Sequence, residues 1–151
     1  MPLARKRKTV RQQVADRANH RCEYCQISSA VSTSAFEIEH IEPMAQDGDD
    51  DLSNMAWSCR RCNSNKGIST TGTDPEDGST VSLYNPRRAS WSDHFDWNPE
   101  DNTRITGKTS VGRATIAFLD LNRPELILLR RLMRYENLHP PVTTEPPNTA
   151  D

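Results

Sequence analysis

Four cysteines are the residues in this 151-residue sequence whose spacing most directly indicates chemistry. Cys22 and Cys25 form one C-x-x-C pair, and Cys59 and Cys62 form a second. Each pair can offer two thiolates to the same ion, which is the arrangement of a four-cysteine zinc site. We therefore expect all four cysteines to bind one structural Zn²⁺, whose binding energy would supplement a small hydrophobic core.

Two other uses of the cysteines remain open from the sequence. Disulfide bonds require an oxidising compartment, and the basic segment 1–11 lacks the apolar run of a secretory signal. A thioredoxin-type redox pair would need only one C-x-x-C next to a βαβ pattern, which neither pair has. Zinc is therefore favoured, and the sequence predicts a soluble cytoplasmic protein. No apolar run is long enough to span a membrane.

The charged residues are unevenly distributed along the chain, although the formal net charge is only −2. Residues 1–21 contain seven basic residues and one acidic residue, whereas residues 36–52 contain seven carboxylates and no Lys or Arg. A basic arm suits a polyanion, and a carboxylate-rich segment suits a divalent cation. The basic run at residues 5–8 is also compatible with a solvated, disordered tail.

The segment between the two cysteine pairs must build the elements that position any further site. Residues 36–41 alternate apolar and polar side chains, which predicts a short strand with Phe36, Ile38 and His40 on one face. Pro43 and the polar run 46–51 predict an irregular loop. Residues 52–58 would then form a second strand leading into Cys59, and a short helix would follow.

Several of these residues resemble the HNH endonucleases when they are taken together. The resemblance rests on Glu39-His40, Asn54, and the run Cys59-Arg60-Arg61-Cys62-Asn63 with Lys66-Gly67. It covers residues 20–68 and points to the zinc-stapled branch of the family, which has a ββα-metal core. It implies a metal-dependent endonuclease that hydrolyses DNA phosphodiester bonds. Residues 83–141 also look like the carboxy-terminal part of small stand-alone HNH proteins.

The resemblance assigns chemical roles to His40 and Glu39. Phosphodiester hydrolysis needs an activated water and neutralised phosphoryl oxygens. His40 is expected to be the general base, because an unperturbed imidazole can accept a proton at neutral pH. Glu39 is expected to bind the catalytic cation, although the best-known members have Asp or His at this position. A packed or surface histidine and a solvent-facing glutamate are the simpler alternatives.

Asn54, Asn63 and Lys66 complete the expected site. Asn54 would tie the loop backbone with its amide and orient His40, or form an Asx turn. Asn63 stands where the third residue of the family pattern is usually His, and is expected to be the second metal ligand; a helix N-cap is the alternative. Lys66 would contact phosphate as a point charge, or be a solvated lysine on a short helix.

The expected catalytic cation is a single hydrated ion. Glu39 and Asn63 would leave coordination positions for water and phosphate oxygens, and ligand hardness favours Mg²⁺, with Mn²⁺ as the alternative. The acidic run 47–51 lacks the ligand pattern of a calcium loop and is expected to be a solvated turn.

The remaining elements are expected to be scaffold around this core. Thr9 and Gln12 form a capping box for a helix over 9–18, with Val10, Val14 and Ala18 on its apolar side. Residues 68–82 read as a loop, and residues 95–97 and 104–106 predict a β-hairpin. Two helices are expected at 110–121 and 124–137, the second opened by a capping signature at Asn122 and Glu125.

The faces of these last two helices can be predicted from their apolar residues. The inward residues of the first would be Val111, Ala114, Phe118 and Leu121. The core stripe of the second would be Leu128, Leu129, Leu132 and Met133, with Arg130, Arg131 and Arg134 mostly off it. Those arginines could follow a DNA backbone or form a solvated face. The pair Asp93-His94 is interpreted as a packed histidine rather than a second site.

Taken together with the resemblance, the sequence predicts an α+β fold: a small zinc-stapled ββα-metal core with a short N-terminal helix and a C-terminal β-hairpin plus two helices. Residues 1–8 would be a basic flexible arm, 9–138 a single HNH domain (core 20–68, extension 83–138), and 139–151 a Pro-rich disordered tail. The expected partner is double-stranded DNA, bound with weak sequence specificity. A catalytically inactive, zinc-stabilised nucleic-acid-binding module is the alternative function, and a zinc-bearing protein-interaction domain is a third.

Overall fold

The computed structural model describes residues 6–142, and within that range it confirms the α+β fold class. Six short strands form three antiparallel pairs: β1 (Glu37–His40) with β2 (Met55–Ser58), β3 (Thr71–Thr73) with β4 (Thr80–Ser82), and β5 (Phe95–Trp97) with β6 (Ile105–Gly107). The helices are α1 (Val10–Arg17), α2 (Arg60–Lys66), α3 (Trp91–His94), α4 (Ser110–Leu119) and α5 (Pro124–Tyr135). Most of the predicted arm and tail, at residues 1–5 and 143–151, lies outside the described residues.

The first helix begins as its capping box predicts. Thr9 Oγ1 accepts a hydrogen bond from the Gln12 amide at 3.1 Å, and Gln12 Oε1 accepts one from the Thr9 amide at 2.9 Å. These two bonds satisfy amide groups that a helix start leaves without partners. Val14 is fully buried, which attaches α1 to the core, whereas Val10 is about half exposed.

The central unit is a ββα arrangement made by β1, β2 and α2. β1 runs antiparallel to β2 with Glu37 opposite Ser58 and His40 opposite Met55. β2 is buried along its whole length, and only Cys59 separates its last residue from the first residue of α2. Cys59 is the N-cap of α2, and its sulfur accepts a bond from the Cys62 amide at 3.4 Å. The sulfur of one pair therefore also fixes the start of the helix.

The segment between α2 and residue 83 was expected to be a loop, and that expectation is wrong. Thr71–Thr73 and Thr80–Ser82 pair as a hairpin that packs on α4. Gly72 allows the contact, because a Cβ at this position would meet a Leu83 methyl carbon at 2.9 Å and a Phe118 ring carbon at 3.4 Å. β-branched Thr and Val supply the strand preference that the Gly and Asp residues around them obscure.

The predicted β5–β6 hairpin is confirmed, with Phe95 opposite Gly107 and Trp97 opposite Ile105. The two helices that follow begin at the predicted residues, Ser110 and Pro124. Thr109 caps α4 by accepting a hydrogen bond from the Gly112 amide at 3.0 Å. Asn122 does not cap α5, because both ends of its side-chain amide bond to the backbone of Ile105.

The buried face of α5 also differs from the predicted apolar stripe. Leu126, Arg130 and Met133 are the buried residues, whereas Leu128 and Leu132 are about half exposed. Arg130 was expected to lie off the core, and instead it is completely buried. The inner face of α5 is therefore not the predicted leucine stripe, and the guanidinium of Arg130 lies at its centre.

The residues that follow α5 return to the core as far as they are described. His139, which was assigned to a disordered tail, is buried against Trp97, with ring centroids 4.5 Å apart. Its Nε2 lies 2.6 Å from the carbonyl oxygen of Asn102. Between residues 6 and 142, no helix combines the length and the apolar character that crossing a bilayer would require.

Candidate functional site

The four cysteine sulfur atoms converge in the interior. All lie within 4.8 Å of one another, and all four residues are buried. Cys25 and Cys59 bring their Sγ atoms to 3.8 Å, about twice a disulfide bond length, and all four cysteines are free. The structure therefore contradicts the disulfide alternative, and the set fits a tetrahedral thiolate-bound metal such as zinc.

The four thiols influence one another's ionisation. Hydrogen bonds from Cys22, Cys25 and Cys62 lower the pKa of the Cys59 thiol, whereas burial raises that of Cys22 well above its ordinary value. Four neutral thiols in one pocket would make only weak hydrogen bonds to one another, because each S–H is a weak donor. A bound dication would instead favour the thiolate form of each cysteine.

His40 lies at the end of β1, next to the acidic loop. Its Nε2 is 2.8 Å from Asp50 Oδ1, and its side chain is 28% exposed. Asp50 belongs to the segment expected to be a solvated turn; it is exposed, and its carboxylate also faces the imidazole. This contact leaves Nδ1 of His40 as the ring nitrogen that is not engaged by Asp50. Sequence reasoning missed Asp50, since nothing in the acidic run distinguishes it from its neighbours.

Asn54 organises the loop that carries Asp50. Its Oδ1 accepts from the Glu42 amide at 2.9 Å, and its Nδ2 donates to the carbonyl oxygens of Glu42 at 2.9 Å and Asp49 at 2.8 Å. The side chain is buried, so these three bonds fix the two ends of the loop against each other. The backbone of Asn54 also accepts from the Ile41 amide, which directly follows His40.

Glu39 and Lys66 form a buried ion pair between β1 and α2. Lys66 Nζ lies 2.6 Å from Glu39 Oε1, and the two side chains are only 2% and 3% exposed. Lys66 also donates to the carbonyl oxygen of Ile41 at 2.9 Å. Neither oxygen of Glu39 receives a well-directed hydrogen bond, so the contact is mainly electrostatic. Burial raises the pKa of Glu39 in spite of the nearby ammonium.

This burial corrects two of the simpler alternatives. Glu39 is not a solvent-facing strand residue, and Lys66 is not a solvated lysine. A contact between Lys66 and phosphate, or between Glu39 and a cation, would have to open or share this pair. The predicted roles of both residues therefore remain predictions.

Asn63 contacts Glu37, a residue that sequence reasoning did not select. Asn63 Nδ2 donates to Glu37 Oε2 at 2.5 Å, and both residues are partly buried. Glu37 shares a face of β1 with Glu39, because alternate strand residues point the same way. Asn63 and Lys66 lie about one turn apart on α2, and Asn63 contacts Glu37 while Lys66 contacts Glu39. The alternative of Asn63 as an N-cap is wrong, since it lies inside α2.

The structure places the predicted residues next to three different partners. His40 contacts Asp50, Glu39 contacts Lys66, and Asn63 contacts Glu37. Within residues 6–142, the four cysteines are the one group of three or more Cys, His, Asp or Glu side chains close enough to share an ion. Among the other described residues, a catalytic cation would therefore find at most two Cys, His, Asp or Glu side chains close together.

The arginines of α1 act as structural links. Arg11 donates to the carbonyl oxygen of Phe36 at 2.6 Å and lies over the Trp57 ring at 4.6 Å. Arg17 donates to the carbonyl oxygens of Leu52 and Met55 at 2.8 and 2.5 Å. Both residues join α1 to the strands of the site. Arg60 and Arg61 at the start of α2 remain exposed.

His94 has a structural environment, as predicted. Its Nδ1 lies 2.7 Å from Thr109 Oγ1, and its ring packs against Tyr84 with centroids 5.9 Å apart. The neighbouring Asp93 accepts a hydrogen bond from the Ser90 amide at 2.9 Å and belongs to the capping box of α3.

Comparisons with known proteins agree with this geometry. Residues 22–68 match the family model described as HNH endonuclease. The Septu protein PtuB of Bacillus thuringiensis is 27% identical over 120 residues, which make up 77% of this chain and 42% of that protein. The chain thus spans less than half the length of this relative. No solved structure matches significantly. The segment from Cys22 to Ile68, with its ββα core and its four clustered cysteines, is thus similar to the HNH endonuclease family.

Proposed function

We propose that the protein is a metal-dependent HNH endonuclease that hydrolyses phosphodiester bonds of double-stranded DNA. The observation that carries this proposal is the position of His40. It stands at the end of β1 in the HNH-like segment, accessible to solvent and hydrogen-bonded to a carboxylate. A histidine held in this way can take a proton from an attacking water.

His40 acts as the general base in this proposal, and Asp50 and Asn54 position it. Asp50 accepts a hydrogen bond from Nε2–H of His40, so the free lone pair is on Nδ1, where it can receive the proton of water. Asn54 holds the loop that presents Asp50. The tautomer is thus set by the partner of the other ring nitrogen.

The cation would bind on the face of β1 that meets α2. Glu39 and Asn63 are the ligands proposed from the sequence, and Glu37 adds a second carboxylate beside Asn63. A bound Mg²⁺ or Mn²⁺ would neutralise charge on the phosphoryl group. Without the cation, Lys66 balances the negative charge of Glu39. Once this ion pair opens, Lys66 would be free to approach phosphate. The four cysteines would hold the separate structural zinc.

The proposed DNA contacts are made mainly to the backbone. Arg60 and Arg61 are exposed at the start of α2, the helix that carries Asn63 and Lys66. Contacts of this kind give salt-dependent affinity and little sequence preference.

The test is cleavage of supercoiled plasmid with added Mg²⁺ or Mn²⁺. His40→Ala is compared with wild type and with His20→Ala, an exposed histidine that serves as the matched control. We expect His40→Ala to lose cleavage by about 10²–10⁴-fold and His20→Ala to retain it. Metal analysis of the same samples should give equal zinc contents. Equal cleavage by wild type and His40→Ala would refute the proposed role of His40.

A nucleic-acid-binding module without cleavage is the second candidate. The observation that favours it is the Glu39–Lys66 pair, because an ammonium already lies beside a carboxylate expected to bind a cation. DNA retention at low salt by wild-type protein that cleaves with neither cation would support this candidate over the first.

A further inference from the structure

Two buried arginines from the C-terminal part of the chain approach the cysteine cluster. Arg123, the N-cap of α5, is 4% exposed. Its two terminal nitrogens lie 3.7 Å from the sulfur of Cys62 and 3.7 Å from that of Cys59. These contacts join residues more than sixty positions apart in the sequence. The predicted zinc motif gives no sign of them.

Arg130 lies next to the same cluster. It is completely buried and donates to the carbonyl oxygens of Cys25 at 3.1 Å, Leu121 at 2.8 Å and Thr103 at 2.8 Å. Its guanidinium is charged at neutral pH, because arginine is not deprotonated in proteins. Its contact with the Cys25 carbonyl places the charge next to a metal ligand.

The charge balance of this interior requires an explanation. A guanidinium without a counter-charge is costly to bury. Glu125 lies 3.1 Å from Nε of Arg123, but its carboxylate is 57% exposed and therefore partly screened by water. A divalent zinc ion with four thiolates would have two net negative charges, next to the Arg123 guanidinium and to Cys25, whose carbonyl oxygen Arg130 contacts. Two arginines would balance this centre.

We propose that Arg123 and Arg130 are the counter-charges of the four-cysteine zinc centre, Arg123 by direct N–H···S hydrogen bonds to Cys59 and Cys62. The metal and α5 then stabilise each other. Zinc binding offsets the cost of burying the two arginines, and docking of α5 increases zinc affinity, because such coupling is reciprocal. The C-terminal helix is in this way attached to the ββα core through the metal site.

The test is the zinc affinity of Arg123 variants, measured by competition with a chromophoric chelator. Arg123→Gln removes the charge, Arg123→Lys retains it without the planar fork, and Arg131→Gln is a matched control on the exposed side of α5. We expect Arg123→Gln to lose about 10–100-fold in affinity, Arg123→Lys to lose less, and the control to match wild type. Affinity of Arg123→Gln equal to that of wild type would overturn the proposal.

A second measurement uses wild-type protein, in case the glutamine variant does not fold. Hydrogen exchange is followed while zinc is removed in steps by chelator. We expect the amides of α5 to lose protection together with those of α2, which contains a zinc ligand. Protection of α5 that persists after α2 has opened would contradict the coupling. Neither measurement involves DNA, so both are independent of the proposed nuclease activity.

Discussion

Lys66 places its ammonium 2.6 Å from the carboxylate of Glu39, and both side chains are almost completely buried. The pair joins α2 to β1, the two elements that carry the proposed cation ligands. A buried ion pair contributes little net stability, but loss of one partner leaves a buried charge without compensation. Replacement of either residue alone would therefore leave the other one buried without an opposite charge.

Lys66→Met should lower the free energy of unfolding by about 3–5 kcal/mol, because Glu39 would keep its desolvation cost without the opposite charge. The double variant Lys66→Met with Glu39→Gln should recover part of this loss, since the buried charge is gone. Urea unfolding of zinc-loaded protein at pH 7 measures both. A single variant as stable as wild type would show that the pair is open in solution.

The cost of Lys66→Met should also depend on pH. Burial raises the pKa of Glu39 in the folded protein, and loss of Lys66 raises it further. The stability linked to this proton is fully present below the unfolded pKa of about 4.3 and is lost as pH rises through the folded pKa. The deficit of the variant should therefore shrink as pH is lowered from 7 toward 5. Unfolding curves at each pH, with zinc content checked, test this trend; a constant deficit would contradict it.

Much of the ββα core, and the helix α1 that precedes it, could be predicted because their signals are local. The C-x-x-C pairs, the alternation at residues 36–41 and the Thr9–Gln12 capping box each depend on neighbouring residues, and the structure bears out the elements they predict. The β3–β4 hairpin was missed because Gly and Asp residues indicate a loop, while its stability comes from packing on α4.

The face of α5 could not be predicted from hydropathy. The pattern favours Leu128 and Leu132 as core residues, yet Arg130 is the buried one. Its partners are carbonyl oxygens from distant parts of the chain, which no local pattern contains. The same reason explains why Glu37 and Asp50 were missed, because each is identified only by the residue it contacts.

Asp50→Asn should reduce kcat for plasmid cleavage by about tenfold, below the factor of about 10²–10⁴ that a general base supplies. The amide can still contact Nε2, but it no longer favours the tautomer with the proton on that nitrogen. KM should change little, because Asp50 does not contact the substrate in the proposed mechanism. ¹⁵N NMR of the His40 ring reports the tautomer directly. Asp47→Asn, in the same exposed loop, is the control and should match wild type in both measurements.

Asn54→Ala should lower the free energy of unfolding by about 1–3 kcal/mol, since it leaves the Glu42 amide and two carbonyl oxygens without their partner. Asn54→Asp separates these contributions. It keeps the acceptor for the Glu42 amide but loses both donors to carbonyl oxygens. Thermal unfolding compares the two variants, and cleavage assays below the transition report on His40. Full stability of both variants would mean that the loop is held by other contacts.

Glu37→Gln should raise the concentration of Mg²⁺ or Mn²⁺ needed for half-maximal cleavage, if the cation binds where α2 meets β1. Glu37 is partly exposed and already contacts Asn63, so its carboxylate is more accessible to an ion than that of Glu39. A neutral amide of the same size keeps the hydrogen-bonding shape and removes the charge that a hard cation prefers. Glu42→Gln, in the loop after β1, is the matched control and should keep the cation dependence of wild type. Suppose that Glu37→Gln leaves the cation dependence unchanged while Glu39→Gln shifts it. The cation would then bind Glu39 by displacing Lys66, and it would not bind at Glu37.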